Sequence, residues 1–355
     1  MSGTSLDGAD AVLADFSTTQ PRVLAFESEA YARELRDELL ALNTTGDNEI
    51  ERSQLAANQL ANVYANAAMR AMRAANIVAK NVAAIGCHGQ TVRHRPDLAY
   101  TTQLNNPALL AELTGCKVVA DFRTRDIAAG GQGAPLAPAF HDGAFRSTTE
   151  TRVVVNIGGI ANLTILEPGK PAWGFDCGPG NCLMDAWILK HHQQSYDQDG
   201  AWAAQGQALA RLLGRLQSEK FFSDSPPKST GRDLFHLLWL IEKLAGDESA
   251  QDVQATLLYL TVWSITDHIA RFAPSATRVL VCGGGAQNAA LMHELAARFS
   301  GGIIEATDTH GVPAQQVEAL AFAWLAKQAM AQTPLDMTAT TGAKHPVILG
   351  AIYPA

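Results

Sequence analysis

Asp176 lies in the run GFDCGPGN, between an aromatic residue and a Cys-Gly-Pro-Gly turn. A carboxylate in so constrained a place is costly unless something pairs with it or uses it. It can act as a general base, and it can equally make the local hydrogen bonds of a turn. Three glycine runs accompany it: MSGTSLDGAD at the start, VNIGGIAN at 155–162 and CGGGAQN at 282–288. In the first, Gly3 and Gly8 permit a tight hairpin and Ser2, Thr4 and Ser5 offer hydroxyls. Successive backbone N–H groups there can form an anion nest. Asp7 or Asp10 can hold a metal-bound water, and an ordinary hairpin is the plain alternative. VNIGGIAN alone is weak, because many hairpins use Gly-Gly. The triple glycine follows an apolar strand and lets a flat ligand approach the backbone closely.

Several chemistries lack their signatures. The triple glycine is not GxGxxG, and neither that pattern nor GxxxxGK[ST] occurs elsewhere. GxSxG is also absent, which argues against the common serine-hydrolase elbow. His88 in CHGQT and His94 have no HExxH or paired His/Cys spacing around them, so a hydrogen-bonding or core histidine is the simpler account. Lys228, in PKSTGRD, lacks the upstream glycine of a phosphate loop and reads as a solvated charge. Glu318 is a lone helical carboxylate among apolar neighbours. The net charge of −8 argues against nucleic acid as main partner. The five cysteines show no CxxC spacing and read as reduced thiols of a cytoplasmic protein. No apolar run is long enough to predict a transmembrane helix, and the start has no signal-peptide pattern.

The elements that must position these groups follow from periodicity. At 355 residues, with 47% hydrophobic and 17% charged, the chain is globular and long enough for two domains. Strands are predicted at Ala11–Phe16, Val23–Glu27, 118–121 and Arg278–Cys282, with a helix over Glu51–Ile77. Residues 152–166 read as strand, Gly-Gly turn and second strand. Leu209, Leu212, Leu213 and Leu216 form one helical stripe, and Leu258, Val262, Ile265 and Ile269 another. A last helix covers Pro313–Gln332. The glycine- and proline-rich loop Arg123–Pro138 is the candidate crossing between halves. The expected division is 1–138, with 335–355 as a candidate completing segment, and 139–334.

Taken together, these segments resemble the 1,6-anhydro-N-acetylmuramic acid kinase family. The resemblance runs over nearly the whole chain, through MSGTSLDGAD, CHGQTVRH, NNPALLAELTG, VVADFRTRDIAAGGQGAPLAPAFH, NIGGIAN, GFDCGPGN, PKSTGRD, DVQATLL, VCGGGAQN and LGAIYPA. It implies an α/β fold of two duplicated actin-like, ribonuclease-H-like domains with a central cleft, each with a mixed five-stranded sheet. Family members carry a short apolar strand before MSGTSLDG, so the first strand is expected to be missing here. ATP with Mg²⁺ is implied at Gly3, Thr4, Ser5, Leu6, Asp7, Gly8, Ala9 and Asp10, at Gly158 and Gly159, and at Gly283, Gly284 and Gly285. Asp176 matches the family's general base. Ser2, Gln90, Arg123, Asp126 and Glu318 fall on the sugar side.

The activity implied joins hydrolysis of the anhydro bond to phosphorylation of O6, giving N-acetylmuramic acid 6-phosphate in cell-wall recycling, with a homodimer as the assembly. Two other readings remain to be tested. One is a kinase of an ordinary hexose or acid, which would label a free hydroxyl without ring opening. The other is a non-catalytic, actin-like nucleotide-binding protein.

Overall fold

The computed structural model describes residues 1–3, 6–18, 21–231 and 234–355. Thr4 and Ser5, expected at phosphate, and Arg232 and Asp233 of PKSTGRD lie outside them. The chain divides into two compact units, Met1–Ala144 with Gln316–Ala355, and Phe145–Gln315.

The first unit has strands β1 (Gly8–Asp15), β2 (Arg22–Ala30), β3 (Ile85–Gly86), β4 (Gln90–Arg95), β5 (Tyr100–Leu104) and β6 (Val118–Ala120), and a closing strand Ala351–Tyr353. β1 and β2 form an antiparallel hairpin, and so do β4 and β5. β6 pairs in parallel with β3 and antiparallel with the closing strand. Among the described residues these are three separate sheets, where the resemblance implies one of five strands.

β6 shows how its sequence is used. Successive side chains of a strand point to opposite faces. Val118 and Ala120 enter a core with Leu60, Ala61 and Leu110. Val119 enters another with Phe122, Leu325, Ala326 and Leu349. A continuous apolar run is what a strand covered on both faces requires. The helix Glu49–Ala74 supplies Leu60 and Ala61, and the helix Val317–Met330 supplies Leu325 and Ala326.

That last helix therefore belongs to the first unit, and the boundaries fall at 144/145 and 315/316 rather than at 138/139 and 334/335. The segment 123–138 is likewise folded within the first unit instead of crossing out of it. It holds the helix Phe122–Ala128 and a glycine loop fastened to Asp126.

The second unit is built on one five-stranded mixed sheet, in the order β11-β10-β7-β8-β9. Its strands are β7 (Thr151–Ile157), β8 (Ile160–Leu166), β9 (Trp173–Pro179), β10 (Ala276–Cys282) and β11 (Ile303–Ala306). β7, β8 and β9 are antiparallel neighbours, whereas β10 lies parallel to both β7 and β11. The helix Ala250–Phe272 buries Leu258, Val262, Ile265 and Ile269 in the same core as Val153, Val155, Leu163 and Phe175. Ser249 caps it, accepting from the N–H of Asp252 at 3.1 Å.

Candidate active site

In the first unit the opening segment is fastened by side chains expected to face a ligand. Ser2 is 2% exposed; its hydroxyl donates to the carbonyl of Gly89 at 3.0 Å and lies 2.9 Å from the Tyr64 hydroxyl. Gln90, equally buried, donates from Nε2 to the carbonyl of Gly3 at 3.1 Å, and its Oε1 lies 3.5 Å from the donating Tyr31 hydroxyl. Both therefore hold the glycine segment in place, and the sugar contact expected of them does not follow from this placement. Leu6 and Ala9, expected at the nucleotide, are buried in the apolar core. Gly8 is needed by the hairpin, since a Cβ there would run into the backbone of Glu29 and lie 3.0 Å from the Cα of Ala30. Asp7 is exposed, and Asp10 accepts from the Ser28 hydroxyl at 2.5 Å.

Asp126 is tied down still more tightly. It is fully buried, with Oδ2 accepting from the N–H of Gly133 at 2.7 Å and Oδ1 from the hydroxyl of Thr341 at 2.6 Å. Burial pushes its carboxyl above the usual range, against the pull of those bonds. These bonds make it an internal post for the glycine loop, and the sugar contact expected of it does not follow from this placement. Arg123, three residues earlier, donates from Nε to Nε2 of His88 at 2.9 Å and from a terminal nitrogen to the carbonyl of Gly133 at 2.8 Å. Burial, then the Arg123 charge, holds His88 neutral. Glu318 is half-buried in the first turn of the helix Val317–Met330.

In the second unit, three motifs far apart in sequence meet. The Gly158-Gly159 turn joins β7 to β8, and its carbonyls accept the N–H groups of Gly180, Asn181 and Cys182 at 2.8–3.1 Å. Those amides open the helix Cys182–His192, whose first N–H groups would otherwise lack partners. Gly283, after β10, has φ +81°, which a side chain rarely tolerates. A Cβ there would press on Asn156 and stand 2.8 Å from the carbonyl oxygen of Ile157, and one on Gly285 would stand 2.6 Å from the Ile157 Cβ. Gly284 differs: nothing lies closer than 3.7 Å to its added Cβ. The missing side chains thus let two glycine turns nest, with Gly284 exposed beside the Asn181 side chain.

Asp176 lies on β9 opposite Asn162, not in a turn as its glycine-rich neighbours suggest. Its Oδ2 accepts from the N–H of Thr230 at 3.0 Å, and its own N–H donates to the carbonyl of Lys228 at 3.3 Å. The Thr230 hydroxyl is sealed from solvent with no hydrogen-bond partner among the described residues. Next to Asp176, Cys177 donates to the carbonyl of Ala161 at 3.2 Å, and burial, with the Asp176 charge, pushes its thiol far up. It is not a nucleophile.

A family model described as anhydro-N-acetylmuramic acid kinase matches residues 1–355. The chain belongs to that family. An anhydro-N-acetylmuramic acid kinase from Cupriavidus metallidurans is 52% identical over 365 residues, covering 100% of this chain and 96% of the relative. One from Bordetella pertussis is 56% identical over 360 residues, covering 100% and 95%. Among solved structures, the activator of 2-hydroxyisocaproyl-CoA dehydratase from Clostridium difficile with bound ADPNP aligns at a TM-score of 0.45 and 13% identity, over 91% of this chain and 96% of that one.

Lys228 departs from its sequence reading. It is not a solvated charge: its ammonium donates to the carbonyl of Phe221 and meets Nε2 of His268, each at 2.8 Å. Burial lowers it to about 8, with Arg271 adding to the effect. His268 carries no motif that marks it, because the contact that brings it here joins residues far apart in sequence. Among the described residues no three His, Cys, Asp or Glu side chains gather to hold a metal, and no helix is long and apolar enough to cross a membrane.

Proposed function

We propose that this protein is an ATP-dependent anhydro-N-acetylmuramic acid kinase in murein recycling. Water adds to the anomeric carbon, the C1–O6 bond breaks, and O6 takes the γ-phosphoryl group of ATP, giving N-acetylmuramic acid 6-phosphate and ADP. The observation that carries the reading is Asp176, held on β9 by the Thr230 N–H in a chain whose whole length matches this kinase family. Asp176 takes the proton of the attacking water. The phosphoryl group accepts the leaving oxygen, so no second carboxylate is needed as general acid.

The glycine turn at 283–285 supports a nucleotide role, because Gly284 leaves its backbone open to a ligand. Mg²⁺ neutralises phosphate charge when bound. Such an ion comes with the nucleotide and leans on one or two carboxylates. Asp7 and Asp10 are the candidates, through water. Arg123 and Glu318 remain the candidates for the sugar. Five buried cysteines, none of them in a disulfide, support a reducing cytoplasm, and a homodimer is the proposed assembly.

The test is mass spectrometry of protein, Mg·ATP and anhydro-N-acetylmuramic acid in ¹⁸O water. The expected product is a phosphorylated sugar with ¹⁸O at the anomeric carbon. A phosphorylated product with its anhydro ring intact, or none from folded, ATP-binding protein, overturns the reading.

A further inference from the structure

The segment that touches Asp176 is tied down in an unusual way. Lys228 offers its carbonyl to the Asp176 N–H, and two residues on the Thr230 N–H reaches the Asp176 carboxylate. The Lys228 side chain runs the other way, into the unit. Its ammonium donates to the Phe221 carbonyl, lies 4.5 Å from the Phe221 ring centroid, and ends 2.8 Å from Nε2 of His268.

For Nε2 to accept, the His268 ring must carry its proton on Nδ1, which donates to the carbonyl of Ser264 at 2.5 Å. His268 is fully buried. Its ring packs 5.7 Å from Phe175, the neighbour of Asp176 on β9, and 6.0 Å from Phe272. Among the described residues no carboxylate lies within ion-pair distance of Lys228. A half-buried cation without such a partner is a poor device for stability alone. What this one does is join the segment gripping Asp176 to the long helix Ala250–Phe272.

We propose that Lys228 and His268 are positioning residues for Asp176: the ammonium–imidazole contact clamps residues 228–230, and through them fixes the carboxylate. The catalytic part of this rests on the reading of Asp176 as the base. A displacement of about 1 Å at a reacting group can cost about a hundredfold in rate.

The experiment compares full-length wild type, Lys228→Met, His268→Leu and His268→Gln, which keeps an acceptor. Steady-state kinetics with Mg·ATP and anhydro-N-acetylmuramic acid is run beside amide hydrogen exchange at Thr230. In Lys228→Met and His268→Leu, kcat should fall at least about tenfold with KM for ATP within about twofold, and Thr230 exchange should quicken. His268→Gln should recover most of both, and it also serves if His268→Leu does not fold. Lys228→Met should cost little more once Asp176→Asn is in place, because both act through one carboxylate. Folded Lys228→Met with wild-type kcat, or with wild-type exchange at Thr230, overturns the proposal. If wild type makes no phosphorylated sugar, the kinase reading falls, and the exchange rates alone decide the clamp.

Discussion

The backbone N–H of Thr230 donates to Oδ2 of Asp176 across 3.0 Å, joining residues 54 positions apart in sequence. A backbone donor cannot rotate away, so it holds the Asp176 carboxylate in one orientation. An amide at 176 could still accept from Thr230, but it cannot act as a base. Asp176→Asn should therefore keep its fold and its ATP affinity while kcat drops at least about a hundredfold. Isothermal titration with ATP and a coupled ADP assay check both halves. Wild-type turnover in the variant would remove Asp176 as the base.

The two adjacent glycines after β10 should separate structure from ligand binding. A Cβ on Gly285 would stand 2.6 Å from the Cβ of buried Ile157, whereas one on Gly284 would make only an ordinary contact, with Nδ2 of Asn181 at 3.7 Å. Gly285→Ala should lower thermal stability by several degrees, at a cost of about 1–3 kcal/mol for overpacking. Gly284→Ala should melt close to wild type and raise KM for ATP. Thermal melts and ATP titrations of the pair read the difference; unchanged ATP affinity in Gly284→Ala would remove this turn from the nucleotide site.

How far these features could be read from sequence depends on their range. The β7–β8 hairpin was legible because its cause is local: β-branched residues around Gly-Gly. β6 was legible because a short, wholly apolar run suits a strand covered on both sides. The nesting of Gly285 on Ile157 was not, since it depends on the parallel pairing of β10 with β7, more than a hundred residues away. The burial of Asp126 and Lys228 was not legible for a related reason. Charged side chains are usually exposed, and only the folded structure reveals the Thr341 hydroxyl or His268 imidazole that makes burial tolerable. Ser2 and Gln90 match the family pattern, yet a matched motif does not say whether a polar group meets a ligand or its own backbone.

Asp126 offers a graded test of its structural role. Asp126→Ala leaves the Gly133 N–H without its acceptor, at about 1–3 kcal/mol for that buried donor left unpaired, while the Thr341 hydroxyl can turn to the Met337 carbonyl at 3.2 Å. Asp126→Asn should be milder. Its oxygen can take the Gly133 N–H while its amide donates to Thr341, whose hydroxyl can turn to the Met337 carbonyl at 3.2 Å. Urea melts should rank wild type and Asn above Ala. If Asp126 instead bound the sugar, Asp126→Asn would raise KM for the sugar without a stability cost.

Acid should destabilise the protein through its buried neutral histidines. Burial holds His141 at about 3, far below its ordinary 6.5, and His268 at about 4; His88 is lowered as well. The sign follows from proton counting. Between pH 6.5 and 3 the unfolded chain binds a proton at His141 that the folded chain does not, so stability is full above 6.5 and falls as pH drops through that window. At pH 5 the His141 contribution alone is about 2 kcal/mol, from about 1.4 kcal/mol per pH unit. In His141→Gln the plot of unfolding free energy against pH should be shallower by about one proton between pH 6 and 4.5. Urea midpoints measured in steps from pH 7 to 4.5 give both slopes. An unchanged slope would mean that the His141 ring takes up its proton while still folded.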